Sequence, residues 1–519
     1  MSNGDDSGRA LAARVPLRDA ALADLGARGI SVPEYERSAL QGRIVHIGVG
    51  GFHRAHLAMY THELAGQGGD WGIRGVGLLP PDEAMGAALS AQDGLYTLIE
   101  RDDDRADVTV VGSIIDYTLA ARDTDAAVAV LADPVVAIVS LTITEAGYAP
   151  RGEPLRRADP CDRAFVSAAE PAEQAKRDLD AARGGTQPLK PIVPSPDSAF
   201  GVIAAALDRR RSSGAPPLTI LSCDNLPGNG DAARAATLTA AHVTDAGLAD
   251  WIDRTCTFPN SMVDRITPTT TDADREWLAA AHGIVDRWPV VTEPFRQWVV
   301  EDRFANGRPR WEAVGVLFTD DVDAWELYKL RLLNAAHSSM AYLCALAGIV
   351  YVDEAIAQSE VRGFLDHLLA DEAIPTLRRI DGHPPEEYVA TVLHRFANTG
   401  VRDQIARLCL DGASKFPTFL VPTIEHQLAN GGPVARSALA LAGWARYLGT
   451  VPASEQAADA AAGPARALAA EALADPERFL ALDGVLTTPL RTSPRFRAAF
   501  VDAYRSIADV GPVAAMLKV

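Results

Sequence analysis

The stretch Arg43-Ile-Val-His-Ile-Gly48-Val-Gly50-Gly51-Phe52-His53-Arg54 decides how this chain folds. A continuous apolar run rich in β-branched residues predicts a strand buried on both faces. The glycines that close it predict a sharp turn into a helix. Gly48 permits the tight turn, and Gly50 lets the backbone approach a pyrophosphate seated at the helix N-terminus. Gly48, Gly50, Gly51, Phe52, His53 and Arg54 are therefore the candidate dinucleotide-binding turn. His53 stands where the fingerprint has its third glycine, and a plain strand-to-helix turn accounts for the same residues. His53 and His56 form an HxxH pair with no carboxylate or thiol at ligand spacing, so no metal is expected there.

Further apolar runs at 73–78, 108–111, 135–144 and 218–223 alternate with helical stretches, which predicts a parallel sheet covered on both faces. After the 73–78 run, Asp82 is the candidate for the adenosine ribose contact and hence for NAD over NADP, although a solvated loop acid is equally natural. Between residues 150 and 198 the pattern lapses into charge, Pro and Gly, and a surface excursion is expected. From about residue 325 the strand signal ends, and helical patterns follow at 325–350, 360–370, 385–396, 436–448 and 494–507. The Ala-rich stretch 452–474 predicts a helix pair broken at Gly463-Pro464. The expected architecture is α/β: a Rossmann-type doubly wound domain over residues 1–318, then an all-α domain over 319–519.

Among 519 residues the formal charge is −19, which argues against a nucleic-acid or anionic-membrane partner and favours a small-molecule substrate. A 48% hydrophobic fraction excludes disorder as the dominant state. No stretch reads as a membrane span or secretory signal. The five cysteines contain no CxxC pair, which offers no zinc framework and fits a reduced cytoplasm. Of the 49 basic residues only Lys176, Lys190, Lys329, Lys415 and Lys518 are lysine. The other 44 are arginine.

That bias draws attention to Glu326, Lys329, Asn334 and His337. At about 100° per residue, with Lys329 at zero, Glu326 falls at about 60°, His337 at about 80° and Asn334 at about 140°. Leu330 and Leu333 share the arc, so a polar cluster sits in apolar surroundings. Burial disfavours an ammonium, which makes Lys329 a candidate general base, a role arginine cannot take. A structural Lys329–Glu326 ion pair is the competing reading. Asn225, after the 218–223 strand, could donate to a developing alkoxide. An Asx turn capping the next helix explains it equally.

Seven segments in order, GVGGFHRAH (48–56), SLTITEAGY (140–148), SCDNLPGNG (222–230), FPNSMVDRITP (258–268), VTEPFRQWVVED (291–302), KLRLLNAAH (329–337) and RDQIARLCLDGASKFP (402–417), resemble the polyol-specific long-chain dehydrogenases. The resemblance implies a monomeric, zinc-independent enzyme that oxidises D-mannitol to D-fructose reversibly with NAD. It implies Lys329 as catalytic base, Asn225 and Asn334 as polarisers of the reacting oxygen, and His337 as substrate contact and lysine orienter. It further implies Glu326 in proton exchange with solvent, Asp264, Arg407 and Lys415 lining the polyol site, and Glu145 near the nicotinamide. Fructuronate reduction and D-arabinitol oxidation are the family alternatives, since Arg407 or Lys415 could hold a uronate carboxylate. A catalytically silent sensor would need no titratable base beside two amide donors. Ala146 departs from the TEGGY pattern common in the family.

Overall fold

Strands that are apolar on both faces must be covered on both, and such strands form the middle of the five-stranded central sheet of the computed structural model, which describes residues 14–144, 147–148 and 198–519. Glu145, Lys176, Lys190 and the excursion up to residue 197 lie outside the described residues. The strand order is Ile114–Leu119, Trp71–Gly77, Gln41–Ile47, Ile138–Leu141, Thr219–Ser222, all parallel. Ile47 pairs with Val76 on one side and Leu141 on the other. Among the crossover helices are Leu57–Gly66, Thr124–Ala132 and Ala199–Ser213. Ile44, Val45, Ile47, Val139 and Leu141 are completely buried, as the apolar runs require.

By internal packing the chain divides into two units, one of residues up to Arg101 with Ala106–Asp323, the other of Ala324–Val519 with the Asp102–Arg105 turn. The first is Rossmann-type and the second helical, which is the expected fold class. Three local expectations are corrected. The 108–111 run is not in the central sheet. Arg105–Val111 folds back at Asp103, whose φ is +51°, and pairs with Tyr96–Asp102 in a sheet that also holds Val290–Thr292. An apolar run carries no label for its partner, and this turn supplies one. The missing central-sheet strand is Ile114–Leu119. The Ala-rich stretch forms one described helix, Gly463–Ala472, with Pro464 in its first turn, where the missing N–H has no partner to lose. The 325–350 pattern is interrupted by a π-helical segment, Lys329–Asn334, between Val322–Tyr328 and Ala335–Leu346.

The helical unit is built around Ala435–Thr450, where Trp444 is completely buried against Phe416 and Phe479. The N-cap residue of this helix, Val434, provides no side-chain bond. Its first amides are served from a distance by Glu372, itself completely buried. Glu372 accepts from Arg436 N (2.9 Å), Ser437 N (3.0 Å) and Ser437 Oγ (2.5 Å). A carboxylate at a helix N-terminus also meets the positive end of the macrodipole. Glu372→Ala should therefore lower the unfolding free energy by about 3 kcal/mol, and Glu372→Gln by about 1 kcal/mol. Urea unfolding of the intact chain measures both, and two unchanged midpoints would exclude the capping role.

Candidate active site

A parallel sheet offers its ligand site where the strand order reverses, at the carboxyl ends of the strands. Here that point lies between Gln41–Ile47 and Ile138–Leu141. Gly48 takes φ +91°, and a Cβ there would clash with the Thr142 carbonyl oxygen. At Gly50 an added Cβ would find nothing nearer than Gly48 O at 3.9 Å, and at Gly51 nothing nearer than Thr267 Cγ2 at 3.5 Å. The turn is thus closed behind Gly48 and open at Gly50, the shape a pyrophosphate needs.

The Gly48 carbonyl accepts from Gly50 N (2.7 Å) and Thr142 Oγ1 (2.6 Å). Because the Thr142 proton is spent there, His46 Nε2 carries the hydrogen it directs at Thr142 Oγ1 (2.9 Å), and its Nδ1 accepts from Ser140 Oγ (2.8 Å). His53 stacks on His46 with ring centroids 3.4 Å apart, and neither of its ring nitrogens has a hydrogen-bond partner among the described residues. Burial pushes the His46 pKa down to about 3 and holds that of His53 well below the usual range. The Arg54 guanidinium is buried against the carbonyls of Gly50 and Trp288, and burial lowers its pKa to about 10. His53 and Arg54 therefore brace the turn from inside, leaving its backbone to face a ligand. Phe52 is half-buried and stacks on His56 at 4.9 Å. His56 donates from Nε2 to Gln297 O (3.0 Å). Asp82 opens the helix Asp82–Ala91, and its Oδ2 accepts from Leu79 N (2.8 Å).

Along the same edge, Asn225 is exposed, and the next helix begins at Asn229 with Gly228 as its N-cap, so Asn225 is not the capping residue. Its neighbour Asp224 is buried. Asp224 Oδ1 accepts from Thr144 N (2.7 Å) and Oδ2 from Tyr148 OH (2.7 Å), while its N donates to Ser222 Oγ (3.2 Å). Asn229 Nδ2 donates to Asp224 O (3.1 Å) and Ser261 O (2.7 Å). Asp264, buried, ends the strand that starts at Ser261.

In the helical unit, Lys329 and Asn334 are the first and last residues of the π-helical segment. An i→i+5 turn brings residues five apart nearly into line, so the two lie closer in angle than the α-helical wheel predicts. Lys329 and Glu326 are buried, at 8% and 7% exposure, and Asn334 is half-buried. His337 stacks on Phe396 at 4.1 Å, and its Nε2 is buried without a partner. Desolvation, followed by the opposed charges of Asp403 and Arg407, sets its pKa at about 3. Arg407 grips Asp403 with both Nε (2.6 Å) and Nη2. Lys415 Nζ donates to Leu408 O (3.1 Å), and burial, then Arg407, lowers its pKa. His337, Asp403, Arg407 and Lys415 thus form one electrostatic cluster. The sequence reading missed Asp403, His46, Thr142 and the Asp224–Tyr148 pair. Only Asp403 had a visible signal, its i,i+4 spacing to Arg407.

The family model for the mannitol dehydrogenase Rossmann domain matches residues 42–313, and that for the mannitol dehydrogenase C-terminal domain matches 321–508. A mannitol 2-dehydrogenase of Phaeosphaeria nodorum is 42% identical over 450 residues, 84% of this chain and 75% of the relative. A mannitol dehydrogenase of Saccharomyces cerevisiae is 39% identical over 497 residues, 94% of this chain and 95% of the relative. The structure of Pseudomonas fluorescens mannitol 2-dehydrogenase in ternary complex with NAD and D-mannitol is 40% identical, with TM-score 0.80, 97% of this chain and 99% of that one covered. A substrate-free D-sorbitol dehydrogenase is 34% identical, with TM-score 0.82 and coverage of 97% and 100%.

Burial also holds the pKa of His56 at about 3 and that of His62 at about 4. With His46 and His337 these rings stay neutral in the folded chain at pH values where unfolded histidine takes a proton. The unfolded chain then binds more protons, so stability should fall as pH drops from about 6.5 towards 4 and should not change on this account above about 6.5. Melting temperature against pH checks the slope. NMR checks its origin, because the four ring resonances should not titrate between pH 5 and 8.

Proposed function

The chain belongs to the mannitol dehydrogenase family, and on that premise we propose that it catalyses the reversible, NAD-dependent, metal-independent oxidation of D-mannitol to D-fructose. The observation that carries the reading is the π-helical segment, which opens on buried Lys329 and closes on Asn334. A general base and an oxyanion donor are thereby presented from one rigid element.

In this reading the Lys329 amine takes the proton of the C2 hydroxyl. The Asn225 and Asn334 amides donate N–H bonds to the oxygen as charge builds on it, which does without a metal. Neutral His337 has an uncommitted Nε2 for a substrate hydroxyl and helps orient Lys329. Glu326, three residues before the lysine, passes its proton to solvent. Asp264, Arg407 and Lys415 line the polyol. The open backbone at Gly50 and Gly51, with Phe52, His53 and Arg54 behind it, would hold the dinucleotide pyrophosphate, Asp82 the ribose and Glu145 the nicotinamide end. NAD, when bound, supplies the acceptor for the hydride that leaves C2.

The state of the cations favours a neutral polyol over a hexuronate. Arg407 Nε and Nη2 are both committed to Asp403, so that pair carries no net charge, and Lys415 Nζ already donates to Leu408 O. A uronate carboxylate would find the Arg407 charge already compensated.

Lys329→Ala should cut kcat by about a thousandfold with NAD affinity unchanged; residual activity above about a tenth of the parent would refute the base assignment. Across mannitol, arabinitol, sorbitol and mannonate, each with NAD and NADP and with or without chelator, mannitol with NAD should lead and chelator should change nothing. A profile led by mannonate, or activity restored by zinc after chelation, would overturn the reading. Asp403→Asn frees the Arg407 charge and should raise the mannonate-to-mannitol ratio of kcat/KM by about tenfold. An unchanged ratio would mean that Arg407 does not face the substrate.

A further inference from the structure

The role given to Asn225 leaves a question the geometry answers. An oxyanion donor acts only if it is already aimed when charge develops. Asn225 lies between Thr219–Ser222 and the helix from Asn229, and the residue before it, Asp224, is held by its surroundings. Every polar atom of Asp224 is engaged: N with Ser222 Oγ at 3.2 Å, O with Leu226 N at 2.9 Å and Asn229 Nδ2 at 3.1 Å, Oδ1 with Thr144 N at 2.7 Å and Oδ2 with Tyr148 OH at 2.7 Å.

A buried carboxylate costs several kcal/mol unless its acceptors are used, and here both oxygens are. The choice of aspartate follows from its partners: Thr144 N–H and Tyr148 O–H are donors, and only an ionised carboxylate accepts at both oxygens. Tyr148 OH also lies 2.5 Å from Ser222 Oγ, which ties it to the strand that leads into Asn225. The contact at Thr144 has a further consequence. Thr144 is β-branched with φ +64°, a strained conformation that persists only where surroundings enforce it. The Asp224 carboxylate is one such enforcement, and Thr144 lies two residues beyond Thr142, whose hydroxyl closes the Gly48 turn. One side chain therefore joins the segment after Ile138–Leu141 to the segment after Thr219–Ser222.

We propose that Asp224, acting with Tyr148, is a positioning residue for the reaction, holding Asn225 where its amide can donate to the reacting oxygen. This rests on the role proposed for Asn225, and the test separates the two. Asn225→Ala should lower kcat by about a hundredfold; if it leaves kcat at the parent value, the reading of Asn225 fails. With Asn225→Ala impaired, Asp224→Asn and Tyr148→Phe should each lower kcat by about tenfold, raise the deuterium isotope effect on kcat with C2-deuterated mannitol, and leave KM within about threefold. The NAD dissociation constant, read by quenching of intrinsic tryptophan fluorescence, should also stay within about threefold. Because both variants break one lock, the double variant should lose no more than the worse single one. Parent-level kcat in both single variants, or additive losses in the double variant, would overturn the proposal. Asp224→Asn is isosteric, so its melting temperature reports whether a loss reflects folding. A loss that tracks melting temperature, with an unchanged isotope effect, would also overturn it.

Discussion

The carbonyl of Gly48 is the point on which the carboxyl edge of the sheet turns. It accepts from Gly50 N and Thr142 Oγ1 at 2.7 and 2.6 Å, joining the turn after the central strand to the segment after its neighbour. Thr142 is set by His46, His46 by Ser140 and the stacked His53. Two residues on, Thr144 is tied to Asp224, and through Asn229 to the Ser261–Asp264 strand. Hydrogen bonds thus link the candidate cofactor turn, the residue before Asn225 and the strand that ends on Asp264. A rigid sheet gives such bonds fixed anchors, which is why loops at this edge can hold chemistry.

The arginine bias has a structural side. Arg210 donates to the carbonyls of Pro216, Leu131, Asp133 and Val136, and Arg265 to those of Glu293 and Ala55 as well as to Glu100. A rigid fork of five donors suits such buried carbonyl-rich corners, and an ammonium does not. Of the three lysines among the described residues, Lys329 and Lys415 are buried or half-buried on the helical unit. Lys518 sits on the exposed last turn.

Much of this was legible in the order of residues. Apolar runs marked four strands of the central sheet, and the loss of strand signal marked the change to helices. The failures share a cause. The run at 108–111 and the strand Ile114–Leu119 cannot be assigned to sheets by composition, because pairing depends on the turn at Asp103. The helical wheel put Asn334 about 140° from Lys329, whereas the π-helical segment brings them nearer to one line. No residue in Lys329–Asn334 marks the wider turn in the sequence. Gly463-Pro464 was rightly read as punctuation but opens a helix instead of breaking one.

By itself the sequence determined which runs are apolar enough to be buried, where the glycine-rich turn after the central strand lies and which family the chain resembles, because periodicity, glycine placement and local spacing are properties of neighbours in the chain. Tertiary structure alone decided that His53 and Arg54 face inward, and that Asp224 binds Thr144 and Tyr148 across about 80 residues of chain. Charge, protonation and aim depend on what stands within a few ångströms. For groups distant in sequence, only the folded chain brings those neighbours together.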